Sequence, residues 1–290
     1  MDNVGILLVS YGSPGAAAQK APDFFESLVK QAFPSLPVYR AFTSESRRRS
    51  PAGAVSGVCP ERSGDARGGR LPSVARGGGG EKDSVYGALL RMSAAGCARV
   101  AVQSLHLVPG LEYRAMTEEI AEARKAGGPP HIRVGAPLLH TEEDTQEVAA
   151  ALAASIGEER GPDEVVVWVG HGGRAADDVY ALSAAAVAAR DGRMLLGTLA
   201  GEKRVDNIIE ELRVLCNGTA GRVLLVPLLA AVGKHAAEDI AGAGTRSWRG
   251  RIAAAGFDCR VELKGLAERE YFARIWLARL TAALHALERE

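Results

Sequence analysis

Residues 164–173 read EVVVWVGHGG, in which an uninterrupted apolar run follows Glu164 and ends in glycines around one histidine. A strand without polar alternation is buried on both faces, as in parallel sheets that are covered by helices. Three further runs have the same character: Gly5–Ser10, Arg99–Ser104 and Arg222–Pro227. Helical periodicity marks the segments Glu142–Ile156, Val205–Leu215 and Glu268–Leu287. Strands that alternate with helices predict an α/β fold with parallel sheets flanked by helices.

The chain also repeats its own pattern. Leu7–Pro14 resembles Val166–Arg174, and Arg99–Tyr113 resembles Arg222–Asp239. The repetition predicts two similar α/β halves, residues 1–140 and 141–290, with a cleft between them. The first half carries an extra segment, Ser46–Gly80, which is rich in Arg, Gly, Ser and Pro and has no hydrophobic periodicity. We expect a flexible insertion there, either a basic lid over an anionic substrate, a solvated loop without a role, or a sequence artefact.

Charge and cysteine content limit the function classes. The 290 residues contain 35 basic and 35 acidic side chains, so no net charge attracts nucleic acid or anionic lipid. No segment approaches the roughly 20 apolar residues that span a bilayer. The four cysteines form no CxxC pair, which favours reduced thiols in a cytoplasmic protein. We expect a cytoplasmic protein that binds neither nucleic acid nor membrane, with a homo-oligomer possible.

Two histidines follow strand ends in the second half. His171 lies between glycines directly after one apolar run, and His235 follows another run and opens a helix. Ligands bind at the carboxyl ends of parallel strands, so the two imidazoles can converge on a metal ion. Imidazole suits cobalt, nickel, iron and zinc alike. The alternatives are a turn histidine bonded to its own loop and an ordinary residue at a helix start.

The first half has a corresponding strand end. There His106 and Glu112 occur in SLHLVPGLEY, after the run that begins at Arg99. The two side chains could face the same cleft as His171 and His235, or they could serve as packing and as a loop cap.

A series of short motifs gives the pattern a family. In chain order from residue 7 to residue 248 they read LLVSYGS, AFTS, VQSLHLVPGLEY, GAPLL, GHGG, GTLAGEKRVD, VPLLAAVGKHAAEDIAG and SW. The ordered set resembles the CbiK family of anaerobic sirohydrochlorin cobaltochelatases over nearly the whole chain, Ser46–Gly80 excepted. The resemblance implies a class II chelatase fold similar to ferrochelatase, in which two Rossmann-like halves enclose a cleft.

The resemblance also implies a reaction. It is the ATP-independent insertion of Co²⁺ into the tetrapyrrole sirohydrochlorin during anaerobic cobalamin biosynthesis. In agreement, the chain contains no GxxxxGK[ST] loop for nucleotide phosphates. Cobalt is therefore expected as a substrate metal, and no nucleotide is expected.

Residue roles follow from the same resemblance. His171 matches the family histidine that binds metal and accepts a pyrrole proton, a task suited to imidazole because its ordinary pKa is about 6.5. His235 matches the second histidine ligand. The family glutamate of the metal site falls at Ala200, which cannot bind a metal. Glu202 is the proposed replacement, with Glu112 as the other candidate; alternatively, Glu202 is exposed and pairs with Lys203 or Arg204.

Contacts with the substrate are assigned to a wider set. The carboxylates of sirohydrochlorin are expected to pair with arginine. The substrate-binding candidates are Ser10, Gly12, Ser13, Arg47, His106 and Glu112.

Three other functions stay open: a chelatase for another divalent metal, a carrier that binds a tetrapyrrole or a metal without catalysis, and a generic α/β enzyme such as a hydrolase. The last is disfavoured because the chain has no G-x-S-x-G elbow.

Overall fold

The structure, a computed structural model, describes residues 3–12, 15–44, 84–157, 159–218 and 220–289. The predicted insertion Ser46–Gly80 therefore lies outside the described residues. The first half contains β1 (Val4–Ser10), α1 (Ala16–Ala32), β2 (Val38–Phe42), α2 (Val85–Ala94), β3 (Arg99–Ser104), α3 (Leu111–Lys125) and β4 (His131–Gly135). Helix α4 (Glu142–Ile156) then leads to the second half.

The second half repeats the alternation. It contains β5 (Val165–Gly170), α5 (Asp177–Arg190), β6 (Met194–Thr198), α6 (Val205–Leu215), β7 (Arg222–Leu228), a π-helix (His235–Ile240), α7 (Trp248–Ala254), β8 (Asp258–Val261) and α8 (Glu270–Glu288). Short 3₁₀ turns cover Arg174–Ala176 and Leu266–Glu268. The four apolar runs that were predicted as strands are β1, β3, β5 and β7, and the three predicted helices are α4, α6 and α8.

Each half forms one parallel sheet of four strands in the same order. The orders are β2-β1-β3-β4 and β6-β5-β7-β8, and all neighbouring strands are parallel. β5 is thus the counterpart of β1 and β7 the counterpart of β3, as the repeated motifs predicted. The predicted fold class is confirmed.

The strand order determines where a ligand can bind. In each sheet the chain runs from a central strand to one edge and then crosses back to the neighbouring central strand. A crevice forms at this switch point, outside the carboxyl ends of the two central strands. In the second sheet these strands are β5 and β7, which pair from Val165 with Val223 to Gly170 with Leu228.

One apolar core joins the two halves. It contains Ile6 and Leu8 of the first sheet together with Trp168 and Leu224 of the second. Helix α8 belongs to the end of the chain but packs on β3 and β4, where Trp276 meets Phe25 edge-on with ring centroids 6.3 Å apart. The last helix therefore returns to the first half.

Among the described helices, none is both long and apolar enough to cross a membrane.

Candidate metal centre

The two predicted histidines meet at the switch point of the second sheet. His171 directly follows β5, and His235 is the first residue of the π-helix after β7. Their ring centroids lie 5.1 Å apart with an angle of 83° between the planes. Both side chains are exposed, that of His235 by 55%. Because the two imidazoles lie side by side and open to solvent, one ion can reach both.

The glycines around His171 are required by close packing. A Cβ atom at Gly170 would lie 2.5 Å from the ring of Tyr180. Gly172 has φ +76°, and a Cβ atom there would lie 2.6 Å from the backbone nitrogen of Gly201. Any larger residue would displace the loop, because real Cβ contacts are longer than these and positive φ favours glycine. The GHGG motif thus seats His171 on a tightly packed turn.

Tyr180 supports this turn from below. It lies on α5 and is 6% exposed. Its phenolic oxygen accepts hydrogen bonds from the backbone N–H groups of His171 and Gly172, and burial raises the pKa of Tyr180 to about 12. The phenol therefore stays neutral and anchors the backbone that carries the histidine.

Replacement of Tyr180 by phenylalanine is expected to lower the free energy of unfolding by about 1–3 kcal/mol, because two backbone donors lose their buried acceptor. Urea denaturation measures the change. Tyr271→Phe is the matched control, since Tyr271 is 51% exposed and its hydroxyl can be replaced by water. Equal losses in the two variants would contradict the anchoring role of Tyr180.

Hydrogen bonds select the tautomer of both imidazoles. Nδ1 of His171 lies 3.2 Å from the carbonyl oxygen of Gly172. Nδ1 of His235 lies 2.6 Å from Oδ2 of Asp239. A carbonyl and an ionised carboxylate can only accept, so each Nδ1 carries the hydrogen and donates it. Nε2 of each ring is left with a free lone pair, which is the form that binds a metal or takes up a proton.

The described residues do not gather a third ligand around this pair. No group of three His, Cys, Asp or Glu side chains suited to a metal ion occurs among them. Ala200 lies beside His171, with its backbone N–H bonded to the carbonyl oxygen of His171 at 2.9 Å. Glu202 is exposed and lines a cavity of about 350 Å³ between α5 and β6. The assignment of Glu202 as a ligand therefore stays a prediction.

The alternative partners of Glu202 have other contacts. Lys203 forms an ion pair with Glu211 at 2.8 Å. The Nε of Arg204 donates to the carbonyl oxygen of Gly201 at 3.1 Å. The alternative prediction had Glu202 exposed and paired with one of these two cations. Glu202 is exposed, but Lys203 is paired with Glu211 and Arg204 bonds to the backbone of Gly201.

His106 connects strand ends in the first half. Its Nδ1 lies 2.6 Å from the hydroxyl of Ser104, and its Nε2 lies 3.1 Å from the hydroxyl of Thr43. Burial lowers the pKa of His106 to about 4. A neutral ring with a hydroxyl on each nitrogen links β3 to the end of β2, as the packing alternative proposes.

The linkage makes fold stability depend on pH. The folded chain resists protonation of His106, whereas the unfolded chain takes up the proton near an ordinary pKa of about 6.5. The stabilisation is therefore complete above about pH 6.5 and is lost as the pH falls towards about 4. We expect His106→Asn to be less stable at neutral pH but to lose less stability on acidification.

Urea denaturation at several pH values tests this expectation. The control is His285→Asn, because His285 is exposed on α8. Stability curves for wild type and His106→Asn that run parallel through this pH window would show that His106 is not responsible.

The other predicted substrate contacts occupy the same edge of the first sheet. Ser10 ends β1, and Glu112 lies half-buried in the first turn of α3. Gly12 has φ +87°, and a Cβ atom there would lie 2.7 Å from the ring of Phe42. Gly12 is therefore required by the turn itself. Ser13 and Arg47 lie outside the described residues.

Sequence reasoning missed three side chains that shape these sites. Asp239 bonds to His235, Tyr180 supports the loop of His171, and Thr43 bonds to His106. Only Asp239 left a usable signal, because residues four apart at a helix start share a face.

Fold and site together define a class of protein. Two parallel α/β halves share a core, and one of them presents two imidazoles at a switch point; this arrangement is that of a two-half α/β protein with a candidate ligand site at the carboxyl ends of its strands. The family described as Cobalt chelatase (CbiK) matches residues 4–285. The chain belongs to this family.

Individual relatives agree with the family match. The chain is similar to the sirohydrochlorin cobaltochelatase CbiKC of Nitratidesulfovibrio vulgaris, with 38% identity over 99% of this chain and 93% of that protein. It is 32% identical to the sirohydrochlorin cobaltochelatase of Salmonella typhimurium, over 70% of this chain and 75% of that protein. Among solved structures, SirB from Bacillus subtilis with Fe³⁺ has the same fold, with a TM-score of 0.64, 18% identity and coverage of 98% and 97%.

Proposed function

We propose that this chain is a sirohydrochlorin cobaltochelatase, an enzyme that inserts Co²⁺ into sirohydrochlorin without a nucleotide. Family membership and the names of two relatives support the reaction. The observation that carries the proposal is the pair of exposed imidazoles, His171 and His235, with a free Nε2 on each. Cobalt and sirohydrochlorin are the substrates, and cobalt-sirohydrochlorin is the product.

The chemistry divides into metal delivery and proton removal. Hydrated Co²⁺ exchanges water for imidazole nitrogen and then for the four nitrogens of the macrocycle. Two pyrrole N–H bonds break as the metal enters; one of the two protons passes to an imidazole and the other passes to solvent water. His171 accepts a pyrrole proton on Nε2, since a neutral imidazole is matched to proton transfer near neutral pH. His235 holds the incoming ion, and Glu202 is the candidate carboxylate that completes its coordination.

The cysteine side chains are consistent with a reducing compartment. In the described part of the chain, Cys97 and Cys259 are free thiols. We propose a cytoplasmic enzyme on this basis, because free thiols persist where glutathione keeps them reduced.

The decisive experiment is turnover. Purified protein is incubated without oxygen with sirohydrochlorin and Co²⁺, and the visible spectrum of the macrocycle is followed. We expect insertion well above the rate without protein. Stoichiometric binding of tetrapyrrole or metal with no acceleration would identify a carrier instead, an outcome that Ala200 makes worth testing. Parallel assays with Fe²⁺ and Ni²⁺ establish the preferred metal, and faster insertion of either would overturn cobalt.

A further inference from the structure

A carboxylate lies directly behind one of the two histidines. Oδ2 of Asp239 is 2.6 Å from Nδ1 of His235, the ring nitrogen other than Nε2. Both residues belong to the π-helix His235–Ile240, in which the N–H of Ala241 bonds to the carbonyl oxygen of Ala236. Residues four apart on a helix share one face, so the helix itself places Asp239 against His235.

This contact is selective within its own helix. Glu238, the next carboxylate, is 3.7 Å from the amine of Lys234 and is 64% exposed. Asp239 is 51% exposed, and one of its oxygens accepts the hydrogen bond from His235. One acid of the helix is therefore paired with a lysine, and the other is paired with the imidazole of the metal site.

The two imidazoles differ in what holds their Nδ1 hydrogen. For His171 the acceptor is the neutral carbonyl of Gly172 at 3.2 Å. For His235 it is a carboxylate at 2.6 Å. A hydrogen bond to a charged acceptor is shorter and roughly twice as strong as a neutral one. His235 is thus the more firmly oriented ring and the better electron donor to a metal.

We infer that Asp239 is the positioning residue of the cobalt site, and the inference rests on the proposed function. By accepting the Nδ1 hydrogen, Asp239 keeps the Nε2 lone pair of His235 free and aimed at the space beside His171. Carboxylate–histidine–metal arrangements act in this way, and loss of the outer carboxylate weakens metal binding by about 10–100-fold. His235 then anchors the ion, and His171, without a carboxylate partner, is left to exchange the pyrrole proton.

Binding of Co²⁺ to the whole protein tests the inference. Isothermal titration calorimetry with CoCl₂ alone compares wild type with Asp239→Ala, Asp239→Asn and Glu238→Gln. We expect Asp239→Ala to raise the Kd for Co²⁺ by about 10–100-fold. Asp239→Asn should recover much of this loss because the amide oxygen still accepts from Nδ1. Glu238→Gln, one residue away, should bind as wild type does. An unchanged Kd in Asp239→Ala overturns the inference.

Kinetics and spectroscopy separate positioning from a structural effect. The KM for Co²⁺ should rise in Asp239→Ala, while the KM for sirohydrochlorin should not change. In metal-free protein labelled with ¹⁵N, long-range proton–nitrogen spectra should show His235 protonated on Nδ1 in wild type and shifted towards the Nε2 form in Asp239→Ala. Wild-type tautomers in the variant would overturn the inference.

A further variant distinguishes this failure from failure of the proposed function. His235→Ala removes the ligand itself. If His235→Ala binds Co²⁺ weakly while Asp239→Ala binds normally, only the role of Asp239 is wrong. If His235→Ala binds Co²⁺ as tightly as wild type, the metal site itself is wrong, and the inference about Asp239 falls with it.

Discussion

The substitution His171→Ala is expected to reduce cobalt insertion to nearly the spontaneous rate. The change removes one of the two free Nε2 atoms at the switch point and the proposed acceptor of the pyrrole proton. Loss of a general base alone lowers rates by about 10²–10⁴-fold. The visible spectrum of sirohydrochlorin under initial-rate conditions measures the effect, with the reaction without protein as the baseline.

The structure predicts that this variant still folds. The His171 ring is exposed, and its Nδ1 is hydrogen-bonded to the carbonyl oxygen of its own neighbour, Gly172. The free energy of unfolding should therefore change by no more than about 0.5 kcal/mol, as for other exposed substitutions. His285→Ala is the matched control, because it removes an exposed imidazole from α8 and should leave turnover unchanged. A His171→Ala enzyme that retains most of its activity would refute the proposed role.

The central strands could be predicted from the sequence because they are buried on both faces. β5 is buried at every position, and β1 and β3 are buried at nearly every position. The edge strands β4 and β8 lack that signal. β8 alternates exposed and partly buried residues over four positions, and β4 is interrupted by exposed side chains. Such short segments resemble loops until neighbouring strands supply their hydrogen bonds.

The histidine pair could be predicted for a different reason. His171 and His235 each follow a central strand, and strand order in a parallel sheet brings such residues to one edge. Asp239 was visible only as an ordinary acid near a helix start. The signal that could have paired it with His235 is their spacing of four residues at that helix start. Tyr180 lies on α5 and reaches the loop of His171 through a tertiary contact, which no local sequence pattern predicts.

The carboxylate expected as a third ligand could not be assigned from the sequence. The motif comparison places the family glutamate at Ala200, and the structure places Ala200 next to His171. Whether Glu202 substitutes for it depends on the path of a turn of a few residues. The turn is tightly packed: a Cβ atom at Gly201 would lie 2.3 Å from the hydroxyl oxygen of Thr198. A small shift of backbone there decides the direction of Glu202, and spacing along the chain does not determine it.

The substitution Ala200→Glu is expected to strengthen cobalt binding. Ala200 is exposed and its backbone N–H bonds to the carbonyl oxygen of His171 at 2.9 Å, so a longer side chain there starts beside the loop that carries one of the two imidazoles. A carboxylate added to two histidines supplies an oxygen ligand and a negative charge for a divalent ion. We expect the Kd for Co²⁺ in Ala200→Glu to fall by about tenfold, equal to about 1.4 kcal/mol. Calorimetry measures it, and Ala200→Gln, which has the same shape without the charge, should show little gain.

The same substitution tests Glu202. If Glu202 supplies the missing carboxylate, Glu202→Ala loses activity in the natural background, and Ala200→Glu restores it in the double variant because the new carboxylate takes over. The activities of the four proteins in this cycle separate a shared role from two independent ones. Full activity in Glu202→Ala would remove Glu202 from the metal site and direct the search to Glu112. Failure of Ala200→Glu to improve binding in either background would mean that position 200 does not face the ion held by His171 and His235.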